Sequence, residues 1–229
     1  MSGATNAGEY VAKLEAWLRA QANPEAAGPM AAYMKGKFPF LGLRSPERVE
    51  LTRRFLAGNG FPADAEDAAA KLWELPEREF QYTALFLLDK DRKRAPRTRI
   101  ALYERLILEK SWWDTADLLA AKLAGSLLAR FPDLIPERAE AWIASDNLWL
   151  RRTAILFQLG YKGKTDTELL FEAIRRNADD PDFFIRKAIG WALREYAKTD
   201  PRAVAAFAES NRLSPLSARE ALKRIGKPG

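Results

Sequence analysis

Apolar residues recur one helical turn apart along nearly the whole chain, as in the pairs Leu102 with Leu106 and Tyr103 with Ile107. Strand-like alternation is scarce, and the single Asn-Gly pair, at Asn59, lies in a Gly-rich stretch rather than between alternating runs. Prolines punctuate the pattern at Pro24, Pro39, Pro46, Pro62, Pro76, Pro96, Pro132, Pro136, Pro181, Pro201 and Pro215. Most stand where a helix would begin, a place where the missing N–H costs nothing. The pattern predicts helices of roughly 10 to 18 residues with short connections. One amphipathic helix is expected from Val11 to Ala20.

Four of these helices resemble one another: EFQYTALFLL from Glu79, WWDTADLLAAKL from Trp112, LWLRRTAILFQL from Leu148 and FFIRKAIGWAL from Phe183. Aligned on Phe80, Trp113, Trp149 and Phe184, they are offset by 33, 36 and 35 residues. Such a period, with two helices per unit, predicts an all-α chain: an α-solenoid of HEAT-like helix pairs that buries a continuous core and leaves a concave groove. Residues 1–229 then form a single domain, with 1–8 and 226–229 as flexible tails.

The register exposes two anomalies. Four positions after the aromatic come Ala84, Asp117, Thr153 and Ala188, three small residues and one acid. Asp114 has a structural explanation, since Ser111-x-x-Asp114 reads as a capping box. Asp117, one turn later, does not. Three positions after the aromatic, the last two units carry Arg152 and Lys187, each preceded by a cation, Arg151 and Arg186. Repetition would line these up on one side of the stack, and Arg194 extends the same face. A row of cations suits a phosphate backbone.

Composition narrows the chemistry. With no His and no Cys among 229 residues, disulfides, thiolate nucleophiles, iron–sulfur clusters and Ser-His-Asp or Cys-His catalysis are excluded, and a zinc site would have to be all carboxylate. Acid–base chemistry falls to Asp, Glu, Lys or Tyr. The net charge of +6 is uneven: residues 1–150 balance 21 basic against 21 acidic residues, whereas 151–229 carry 16 against 10. This points to a polyanion partner. No apolar run is long enough to span a bilayer, and MSGATNAGEY lacks the features of a signal peptide, so a soluble, cytoplasmic protein is expected.

SWWDTAD, ASDNLWLRRTAILFQL, FFIRKAIGWALREYAKT, LWELPEREFQ and PMAAYMKGKFPFLG together resemble the bacterial HEAT-like-repeat DNA alkylation repair glycosylases, the AlkD type, from about Pro29 to Lys223. The resemblance implies a monomeric enzyme without cofactor or metal. Its partner would be double-stranded DNA containing cationic N3- and N7-alkylated purines, removed without base flipping to leave an abasic site. By the same resemblance Asp117 is the catalytic carboxylate, Trp113 and Trp191 are active-site tryptophans, Arg152 and Arg194 contact phosphate, and Tyr33 lies near the lesion. Arg44 stands where the family has a glutamine in its FLG-x-Q motif, a departure that bears on how the opposite strand is held and leaves the catalytic reading intact.

Each residue also has a plainer reading. Trp112, Trp149 and Phe184 read as core. Arg152 and Lys187 could be ordinary snorkelling surface residues, and KDRKRAPRTR, Lys90 to Arg99, reads as a solvated connection. A non-catalytic HEAT-like module that binds DNA or protein would share the repeats and the charge. Asp117 together with Trp113 separates the two, because a binding-only protein has no need of a carboxylate that repels phosphate; the catalytic reading needs that carboxylate to face a basic hollow and not to be tied up by a neighbouring arginine inside the protein.

Overall fold

A computed structural model describes residues 6–225, and every regular element among them is helical. The chain divides into two compact units at Leu102/Tyr103, within one helix.

The first unit holds α1 (Ala7–Arg19), α2 (Pro24–Tyr33), α3 (Ser45–Asn59), α4 (Ala65–Glu74) and α5 (Arg78–Asp91), and the start of α6 (Arg99–Leu108). Starts are set by side chains that accept otherwise unpaired N–H groups: Asn6 for α1, Asn23 for α2 and Asp64 for α4. The amphipathic first helix begins at Ala7, so residues 7 and 8 are helical and not tail; residues 1–5 and 226–229 lie outside the described residues. It buries Tyr10, Val11, Leu14 and Leu18 against α3 and α4. The connection through Leu41, Gly42 and Leu43 is pinned by Glu79, fully buried in α5, whose carboxylate accepts all three backbone N–H groups at 2.9 to 3.1 Å. Gly42 has φ 89° and a Cβ there would meet the Asn23 carbonyl oxygen at 1.9 Å, so only glycine fits.

The second unit continues with α7 (Trp113–Leu118), a π-helical turn (Leu119–Ala124), α8 (Gly125–Arg130), α9 (Ile135–Ile143), α10 (Leu148–Leu156), α11 (Thr167–Asn177), α12 (Phe183–Tyr196), α13 (Pro201–Ser210) and α14 (Pro215–Ala221). A 3-10 turn, Leu222–Arg224, extends the last. Asn147, Asp166, Asp182, Asp200 and Ser214 cap five of these starts. Helix α10 packs against α7, α9, α11 and α12.

Both units carry the repeat as physical contacts between residues about one period apart. In the first, Trp17 donates to the Leu51 carbonyl and Arg99 to Glu66, across 34 and 33 residues. In the second, Trp142 donates to Glu104, Tyr161 to the Gly125 carbonyl and Arg176 to Glu140, across 38, 36 and 36 residues. These are the stacking contacts of successive helix pairs.

Two local expectations change. Ser111 does not cap α7: its hydroxyl donates to the carbonyls of Ile107 and Leu108 and closes the end of α6. Trp112 is the N-cap residue, with no side-chain cap bond, and Asp114 keeps its place in the first turn of α7. The ring that joins Trp149 and Phe184 is Trp112, at centroid distances of 5.8 and 5.0 Å, with Trp149 and Phe184 5.2 Å apart. Trp149 is buried, as expected of core, while Trp112 and Phe184 are half-buried against it; Trp112 is the N-cap of α7, whereas Trp149 and Phe184 are each the second residue of their helix. Of the charge run, Lys90 and Asp91 belong to α5 and Arg99 to α6; the turn between them is laced by Arg92 to Asp89 and Arg94 to Asp91.

Candidate functional site

Asp117 lies in the second turn of α7, one turn after Trp113 and on the same side of the helix. Its carboxylate receives Nε of Arg152 at 2.6 Å on Oδ1 and Nη2 at 2.9 Å on Oδ2, a bidentate pair across 35 residues. The third nitrogen, Nη1, donates to the Phe184 carbonyl of α12. One guanidinium thus ties α7, α10 and α12 together. Its side chain is 6% exposed, that of Asp117 18%.

The requirement of an untied carboxylate is therefore not met. Arg152, expected to reach outward to phosphate, lies inside with each of its three nitrogens on a protein acceptor. The other cations of the row stay partly exposed, Lys187 at 39%, Arg194 at 27% and Arg151 at 20%, but each meets a protein acceptor. Arg151 donates to the Ser145 carbonyl at 2.8 Å and to Asp180 at 2.9 Å, and Arg186 donates to the Asp180 carbonyl at 3.0 Å. Arg194 and Lys187 both meet Glu220, Lys187 at 3.5 Å. Their partners lie outside each cation's own helix: the carboxylates of Asp117, Asp180 and Glu220 and the carbonyls of Ser145, Asp180 and Phe184.

Just beyond Asp117 the helix widens into the π turn, where the Gly125 N–H reaches back to the Ala120 carbonyl. Such turns concentrate at functional sites because they throw side chains on either side out of ordinary helical register. Two neighbours enforce it. A Cβ on Gly125 would lie 2.2 Å from the Phe157 carbonyl oxygen. Tyr161 donates its hydroxyl to the Gly125 carbonyl at 2.7 Å. Burial pushes the Tyr161 phenol well up, so it remains a donor at any working pH.

Trp191 is half-buried in α12, with Lys187 one turn before it and Arg194 one turn after. Trp113 is half-buried as the first residue of α7. Tyr33 and Arg44 belong to the other unit: Tyr33 ends α2 with 70% exposure, and Arg44 is exposed just before α3. Glu220 escapes sequence reasoning altogether; it follows no repeat and lies in a segment with no aromatic signature. Glu79 shows in the sequence only as the start of a repeat. Among the described residues no group of three or more carboxylates could hold a metal ion, and no helix is long and apolar enough to cross a membrane.

A helical-repeat protein with an acid–arginine pair between stacked helices, tryptophans on the same helices and a basic second half has a make-up suited to a polyanion. Residues 14–225 match the family described as DNA alkylation repair enzyme, and the chain belongs to that family. A solved structure described as "Predicted DNA alkylation repair enzyme from Enterococcus faecalis" is similar, with 35% identity over 90% of this chain and 98% of that one and a TM-score of 0.83. No curated protein matches the sequence.

Proposed function

We propose that this protein is a monofunctional DNA glycosylase that hydrolyses the N-glycosidic bond of cationic N3- and N7-alkylated purines in duplex DNA, leaving an abasic site without flipping the base. The observation that carries the reading is the carboxylate of Asp117, partly open and fixed in orientation by Arg152, in a chain of the DNA alkylation repair family. An alkylated purine already bears a positive charge and departs as a neutral base, so no general acid is needed. As the bond breaks, positive charge develops on the deoxyribose. A carboxylate oxygen against the sugar stabilises that charge and can orient the attacking water.

Arg152 changes the electrostatics of this step. Asp117 and Arg152 form a dipole, whose potential falls off faster than that of a bare anion. The sugar must therefore come into contact with the carboxylate's open edge. Two of the roughly four lone-pair sites of the carboxylate are taken by Arg152, which leaves two for water or sugar. We assign Arg152 to holding Asp117 and phosphate contact to Arg194, Lys187 and Arg151; Tyr33 keeps its place near the lesion and Arg44 its place on the duplex, each as the resemblance implies. Trp113 and Trp191 present ring faces to the developing cation, at about 0.5 to 2 kcal/mol each. The oriented carboxylate, at about 3 to 4 kcal/mol, is the larger effect.

The same ion pair favours a second reading, a non-catalytic module in which Asp117 and Arg152 merely clamp three helices. Release of 7-methylguanine from methylated duplex by Asp117→Asn, assayed where circular dichroism shows the variant folded, separates the two. Loss of release in a folded variant is expected. Equal release by wild type and variant removes Asp117 from the mechanism, and no release by wild type favours the module.

A further inference from the structure

The acid that organises the cations of α12 comes from outside the repeat. Glu220 stands at the end of α14 with 9% of its side chain exposed. Its Oε1 faces Lys223 at 3.2 Å and Lys187 at 3.5 Å, and its Oε2 accepts from Arg194. It reaches them because α12 and α14 close on Gly190, where a Cβ would lie 2.5 Å from the Glu220 Cβ and 3.1 Å from the Ser217 carbonyl oxygen. Ser217 then fixes the two helices against sliding by donating its hydroxyl to the Arg186 carbonyl at 3.0 Å. Lys187, Trp191 and Arg194 share one face of α12, being four and three residues apart. A single carboxylate thus holds the cation on either side of Trp191.

Two effects of this carboxylate on a polyanion oppose each other. As a charge it repels phosphate and subtracts from the basic face. As an anchor it pre-orders two long side chains that each carry about 2 kcal/mol of rotamer entropy, which binding would otherwise have to remove. Burial against α12, with three cations around one acid, leaves the group net positive and makes the anchoring effect the larger. We infer that Glu220 is a positioning residue for the DNA-contacting face of α12: it orients Arg194 and Lys187 beside Trp191, so that α14 belongs to the binding machinery although it touches no phosphate itself. The inference rests on the reading of Arg194 and Lys187 as phosphate contacts.

The two effects predict opposite signs, and the full-length chain can be tested by fluorescence anisotropy on undamaged duplex DNA over a salt series. Glu220→Gln makes the protein more positive, yet it is expected to bind about tenfold more weakly. Its slope of log affinity on log salt should be shallower by about 0.9 for each phosphate that is no longer engaged. In an Arg194→Ala, Lys187→Ala background the same substitution is expected to change little. Tighter binding with a steeper slope, or unchanged affinity, overturns the proposal, as does an equal loss in that background. Glu220→Asp, which keeps the charge on a shorter stem, should recover part of the affinity, and serves as the deciding variant if thermal denaturation shows Glu220→Gln unfolded; no recovery by a folded Glu220→Asp counts against the anchor. Unchanged binding by Arg194→Ala, Lys187→Ala with base release intact sinks the phosphate assignment while sparing the glycosylase.

Discussion

Glu79 and Asp117 are both acids on repeat helices, and their surroundings could hardly differ more. Glu79 in the first unit is fully buried and accepts three backbone N–H groups from one connection. Asp117 in the second keeps 18% of its side chain exposed and is held by one guanidinium. Three backbone donors on a fully buried carboxylate engage both of its oxygens and make it part of the fold. A bidentate arginine grips one edge, fixes the direction of the carboxylate and leaves the other edge for chemistry. The contrast teaches that being tied does not by itself retire an acid from function; what matters is which lone pairs the tie consumes.

Substitutions at the two acids test that contrast most severely. Asp117→Asn is expected to cut base release by about 10²- to 10³-fold in single-turnover assays. It leaves Arg152 with a weakened partner, so its melting temperature should fall as well. Glu79→Gln should do the reverse: release per folded molecule unchanged, stability lower by about 2 to 4 kcal/mol in urea unfolding, because a buried amide replaces an anion among three N–H donors. A folded Glu79→Gln that no longer releases base would break the comparison.

The π turn next to Asp117 gives a smaller effect. Gly125→Ala forces a methyl group against the Phe157 carbonyl and should cost about 1 to 3 kcal/mol. If the turn orients Asp117, release should slow beyond what unfolding accounts for; release that tracks only the folded fraction assigns the turn to packing.

Acid sensitivity sharpens a third case, Glu220. Hydrogen bonding to Lys223, helped by Arg194 and by the charge of Lys187, pulls its carboxyl down to about 2 from 4.5. A carboxyl depressed in the folded state stabilises fully above its unfolded value and progressively less as pH falls from about 4.5 towards 2. The urea midpoint of wild type should therefore drop between pH 5 and pH 3 by more than that of Glu220→Gln. Parallel curves would mean the cations hold Glu220 no more tightly than water does. The smallest effect is expected at the exposed Arg54–Glu50 pair, where Arg54→Ala should cost only about 0.3 to 0.5 kcal/mol.

Much of the fold was legible because stacked repeats translate sequence period directly into contacts: the offsets near 35 residues reappear as Asp117 to Arg152 and Glu140 to Arg176. Which of two adjacent tryptophans packs against the aromatics of the neighbouring repeats is a choice periodicity cannot make; the ring against Trp149 and Phe184 is that of Trp112. The capping box at Ser111 failed for a related reason, since a serine between two helices can close the first as readily as it opens the second.

The sequence by itself determined the helices, their period, the absence of thiol and imidazole chemistry and the likeness to a repair family. Only the tertiary structure decided which acid meets which cation: that Arg152 turns inward to Asp117, that Asp180 takes Arg151, and that Glu220 gathers Arg194, Lys187 and Lys223. The reason is physical. Helical spacing sets the direction in which a side chain leaves its own axis, but the partner it finds there is delivered by another part of the chain, at a distance that only packing fixes.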